Sequence, residues 1–162
     1  MNGNSNKYET KFGQLVLRNG PENNFYWTGY SNSHNAIFAD KIPVYIFTKD
    51  KNISNQTIDF VQTIVSDINA YLATAILFIK QTLSEEKEKY NIREDKFDFL
   101  SSDPDCLPVD LPELTFWEDS NEWMIRFAEG KFRICDPLGI GVTFSFNKPI
   151  SVDNLEDIEF IE

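Results

Sequence analysis

The segment Ile134–Phe146, ICDPLGIGVTFSF, gathers residue types that chemistry often uses: a thiol, an acid and two glycines around an isoleucine. Gly139 and Gly141 match the first two positions of a G-x-G-x-x-G dinucleotide loop. The third falls on Phe144, and the residues from Ile140 to Phe146 alternate like a strand instead of opening a helix. A Gly-Lys-Ser/Thr phosphate loop is absent too, so the glycines read as a bend or bulge entering a strand. Cys135 could act as a nucleophile only with a base to form its thiolate near neutral pH. The chain has one histidine, His34, in the polar stretch YSNSHNAIF, and no sequence feature brings the two together. Cys135 therefore reads as a small packed side chain. Two cysteines and one histidine so far apart offer no zinc-ligand spacing, and no G-x-S-x-G elbow is present.

The acids give the stronger lead. Asp103, Asp105 and Asp110 lie in SSDPDCLPVD, at spacings unlike those of a calcium loop, and read as an acidic surface loop. A carboxylate pair of the glycosidase kind stays open as an enzymatic alternative, because any two of the 26 acids could meet in space. The segment WEDSNEW sets Trp117 and Trp123 around Glu118, Asp119 and Glu122. Indoles anchor interfaces, and carboxylates pair with Arg and Lys across them. The competing reading places both indoles in the core and only the loop outside. The candidate partner-binding set is thus Asp103, Asp105, Asp110, Trp117, Glu118, Asp119 and Glu122. Asp153, Glu156 and Asp157, from the acidic C-terminal stretch, are secondary. No cofactor or metal site is indicated.

Length and composition frame these residues. A chain of 162 residues corresponds to one domain, 1–162, with residues 1–7 read as a frayed end. At 41% apolar and 14% aromatic content it can build a core. No apolar run approaches the roughly 20 residues of a membrane span, and the polar N-terminus lacks the pattern of a secretory signal. These features point to the cytoplasm, with free thiols. The net charge of −11 is uneven: residues 1–50 carry +1, residues 51–93 carry 0, and residues 94–162 carry −12. Such a surface repels nucleic acid and anionic lipid and attracts basic proteins. No basic patch is visible along the chain, which excludes nucleic acid and membrane from the expected partners.

The elements that would position the candidates follow from periodicity. FGQLVL, FYWTGYS and the stretch around Val44–Thr48 read as strands. From a Ser54 N-cap, Ile58, Val61, Ile64, Val65, Ile68, Leu72, Ala75, Ile76, Ile79 and Leu83 recur at three- and four-residue spacing. That predicts one amphipathic helix of about seven turns, with Glu85 and Lys89 as an i,i+4 pair. ELTFWED and EWMIRFAEG then read as a hairpin, and GIGVTFSF as a strand. The expectation is an α+β fold, a mostly antiparallel sheet with one long amphipathic helix packed on a face.

Strands FGQLVL and IPVYIF, a long amphipathic helix, a proline-bearing acidic loop and a D-x-x-G-I-G-V-x-F strand at Asp136–Phe144 together resemble small bacterial immunity proteins. Those belong to toxin–immunity systems such as contact-dependent growth inhibition. The resemblance implies a non-catalytic protein that binds and neutralises a cognate toxin domain, often a nuclease and hence basic. It carries over no catalytic residues. The rival readings are a small enzyme using Cys135 or a carboxylate pair, and a self-assembling structural or adaptor protein.

Overall fold

The computed structural model describes residues 6–31, 38, 41–103 and 105–155. Eight strands form one sheet in sequence order: β1 Lys7–Thr10, β2 Gly13–Asn19, β3 Phe25–Ser31, β4 Ile42–Thr48, β5 Val109–Trp117, β6 Glu122–Gly130, β7 Ile140–Ser145 and β8 Lys148–Asn154. Two α-helices, α1 Asn55–Ser66 and α2 Ile68–Glu85, and a 3-10 helix, Glu94–Leu100, lie between β4 and β5. Lys7 already pairs with Val16, so the first strand begins inside the stretch expected to fray.

The expected mostly antiparallel sheet beneath one long helix is corrected on both counts. The sheet is mixed, because β4 and β5 run parallel, with Val44 opposite Leu114 and Phe47 opposite Trp117. The helical excursion between them carries the chain back across the sheet, and such a crossover delivers the next strand in the same direction. The helix is broken at Asp67, and its two halves are bent by 74°. Asp67 (φ −113°, ψ 26°) ends α1, while its carbonyl accepts from the Ala70 and Tyr71 amides that open α2. Ser66, Asp67 and Asn69 flank the break. Their short polar side chains compete for backbone hydrogen bonds and favour helix ends. Ser54 does cap α1, its Oγ accepting from the Thr57 amide at 3.1 Å. Lys89 pairs with Glu86 at 3.0 Å, not with Glu85. Among the described residues no single helix is long and apolar enough to cross a membrane.

Both helices cover one face of the sheet. All ten apolar residues of the stripe are buried there. Register aligns Leu17, Trp27, Ile46, Phe116, Trp123 and Phe144 in a single row beneath them. Phe60 of α1 meets Phe116 edge-on at 6.3 Å, and Tyr71 of α2 meets Trp123 and Phe144 edge-on at 5.2 and 5.7 Å. Edge-to-face packing of this kind adds about 0.5–1.5 kcal/mol per pair beyond burial. The sheet ends are blunted. β1 is four residues long with two charges, and β8 carries Lys148 and Pro149 beside a register shift at Thr143/Phe144.

Candidate functional site

Strand alternation decides what the helix-free face presents. Register lines up Arg18, Tyr26, Phe47 and Trp117 across β2 to β5. The Phe47 ring lies 6.5 Å from Trp117 at 19° and 5.7 Å from Tyr26 at 32°. Trp117 is 39% exposed, whereas Trp123, of opposite parity, is fully buried. The two indoles of WEDSNEW therefore have different roles. Trp123 is core, with its Nε1 donating to the Phe146 carbonyl at 2.7 Å. Trp117 is a surface aromatic held flat by a stacked neighbour.

The next rows of this face are hydroxyl-rich. Thr28, Tyr45, Thr115, Met124, Thr143 and Ser151 lie side by side. Beyond them Arg126 bridges Glu113 at 2.7 Å and donates through Nε to the Leu138 carbonyl. Burial, then the Glu113 charge, push the Tyr45 phenol upward. Tyr30, 54% exposed, continues the aromatic lining with Lys41 5.7 Å from its ring. Neither α-helix lies on this face.

The structure separates the acidic candidates. Asp119 and Glu122 are exposed in and beside the β5–β6 turn, next to Trp117. Asp119 takes the left-handed conformation (φ 61°) that the turn requires, which Asp tolerates. Glu118 is half-buried, and its carboxylate accepts from the Ser54 amide at 3.1 Å, at the start of α1. Asp110 stands at the other end of β5, roughly 26 Å away at 3.3 Å per residue. It faces Glu129 across the β5–β6 pair. Asp103 and Asp105, both exposed, belong to that remote end of the chain trace. The Asp103 carboxylate accepts from the Asp105 amide, and its carbonyl accepts from buried Lys80 at 3.1 Å. Asp153 is half-buried and accepts from the hydroxyls of Thr143 and Ser151. Glu156 and Asp157 lie outside the described residues. Of the eight candidates among the described residues, Trp117, Asp119 and Glu122 share one exposed patch beside the β5–β6 turn.

Cys135 is 2% exposed, and burial pushes its thiol up to about 11, the reverse of what a nucleophile requires. It packs against Gly130, where a side chain would collide with its sulfur. Gly139 has φ +92°, and a Cβ there would collide with the Phe127 carbonyl. Gly139 therefore sets the approach to β7, whereas Gly141 lies within that strand, where a side chain would collide with the Met124 sulfur. His34 lies outside the described residues. No group of three or more His, Cys, Asp or Glu residues suited to a metal is gathered among the described residues.

Comparison with known proteins adds no assignment: no family model, curated protein or solved structure matches the chain.

Proposed function

We propose that this protein is a non-catalytic binder of the immunity type. It would capture a cognate bacterial toxin domain of basic surface, such as a nuclease, in the cytoplasm and neutralise it. The observation that carries the reading is the exposed Trp117, stacked on Phe47 in a row with Tyr26 and flanked by the exposed carboxylates of Asp119 and Glu122. Interface centres favour Trp and Tyr, with charges at the rim. A stacked indole loses little side-chain entropy on docking. The acidic rim supplies long-range attraction toward a basic partner and suits fast capture.

The test separates anchor from steering. Trp117→Ala should weaken partner binding by about 30-fold or more, as expected for a hot spot of about 2 kcal/mol. Asp119→Lys with Glu122→Lys should lower the association rate and its salt dependence. Unchanged affinity in the first variant would remove this face from the interface.

A further inference from the structure

The end of β6 remote from Glu122 holds a different surface. Past the end of α2, residues 89–96 run beside the β6–β7 connection. Two concavities of about 540 and 440 Å³ open between them and share Asn91, Arg133 and Asp136, forming one bilobed groove. Lys89, Arg93, Lys96, Lys131 and Arg133 line it, with Asp136 the single carboxylate among the lining residues. A third of the chain's fifteen Lys and Arg thus gather at one groove in a protein of net charge −11. Charge totals by segment do not show this gathering. The cations come from two stretches, 89–96 and 131–133, in which acids alternate with them or flank them.

The cations are unequally satisfied. Lys89 and Arg93 have local acids, Glu86 and Asp95. Lys96 and Lys131 each stand 5.7 Å from the centroid of the Phe99 ring, which holds two like charges against one face-bearing group. The Arg133 side chain makes no ion pair or hydrogen bond with another described residue. Like charges around a shared concavity repel, and a bound anion removes that repulsion. Arg supplies a planar fork for two phosphate oxygens, and Lys supplies point charges beside it. The larger lobe adds Tyr90, Ile134 and Pro137, an apolar wall for an uncharged group. Both volumes fall in the range of small-molecule sites.

We infer that this groove binds a phosphate-bearing small molecule of nucleotide size. Its phosphates would lie at Lys96, Lys131 and Arg133, and its uncharged part against Tyr90 and Pro137. The site is independent of the Trp117 face, which lies at the other end of β6. An extended nucleic acid is disfavoured, because the strongly acidic remainder of the C-terminal portion would repel a chain leaving the groove.

The test titrates the full-length protein with ATP and with inorganic pyrophosphate, by calorimetry and by amide NMR, at low and moderate salt. Both probes should bind, ATP more tightly, with shifts concentrated at 89–96 and 130–137. Arg133→Ala should weaken ATP by about tenfold, the scale of one charge-assisted contact pair, with an unchanged circular dichroism spectrum. Lys96→Ala with Lys131→Ala provides a second variant and should weaken both probes. The inference is overturned by any of three results: no binding of either probe at millimolar concentration, ATP affinity unchanged in both variants, or tighter binding of a single-stranded RNA oligonucleotide than of ATP.

Discussion

Glu118 links the end of β5 to the start of α1, and removing its carboxylate has a calculable cost. Its Oε2 accepts from the Ser54 amide at 3.1 Å across 64 residues of sequence. The Ser54 hydroxyl accepts from Thr57, so the two side chains satisfy two of the helix's otherwise unpaired amides. A hydrogen bond to a charged group contributes about 1.5–3 kcal/mol net when well sheltered. Glu118 is half-buried, so about 1–2 kcal/mol is the expected loss for Glu118→Ala after allowing for solvent screening. Glu118→Gln keeps an oxygen acceptor and loses only the charge at the helix N-terminus, about 0.3–1 kcal/mol. For a chain of this size the Ala variant should melt about 2–8 °C lower. Urea titration followed by circular dichroism reads both variants. An Ala variant within about 0.3 kcal/mol of the parent, or a Gln variant as costly as Ala, would refute the capping role. The backbone bond from the Glu118 amide to the Phe47 carbonyl at 2.9 Å survives either substitution and is not part of this difference.

Iodoacetamide at pH 8 should modify half-buried Cys106 and spare Cys135, which is buried and whose thiol burial pushes up to about 11. Equal labelling would contradict the buried assignment. Burial raises the folded-state value of Cys135, so its stabilising contribution is complete below pH 9 and is lost as pH rises toward 11. Cys135→Ala should therefore flatten the fall in stability over that window, and an unchanged slope would count against it. Gly139→Ala should cost more than about 3 kcal/mol, from the positive φ and the Phe127 carbonyl together. A loss below about 1 kcal/mol in urea titration would show that the loop can yield. Glu129→Lys, opposite Asp110, should stabilise by about 0.2–1 kcal/mol at low salt and less at high salt. Destabilisation would contradict that register.

Local periodicity is the main part of this fold that residues alone make legible. FYWTGYS and EWMIRFAEG match β3 and β6 end to end, because alternation and turn chemistry bound them on both sides. The outward Trp117 stays open in the residues, since both indoles of WEDSNEW can read as core; in the structure it follows Leu114 and Phe116 on the inward face of β5 and so points outward. The break at Asp67 is invisible to the apolar stripe. The stripe keeps three- and four-residue spacing through Ile64, Val65 and Ile68 whether or not the axis bends. The parallel β4–β5 pairing is implicit in the strand–helix–strand order, but no strand carries a sign of it by itself. β1 and β8 are edge strands of KYET and KPISVDN, too polar to signal a pleated core face. The Glu118 cap and the five-cation groove are contacts between distant segments, which charge totals by segment average away.

Binding through the Trp117 face is tested by affinity isolation of the tagged protein and its Trp117→Ala variant from cells expressing its neighbouring genes. Recovery is quantified by mass spectrometry at low and moderate salt. One stoichiometric basic partner is expected on the parent, weakened by salt and largely lost from Trp117→Ala. Equal recovery on both proteins, or no partner at either salt, would contradict it.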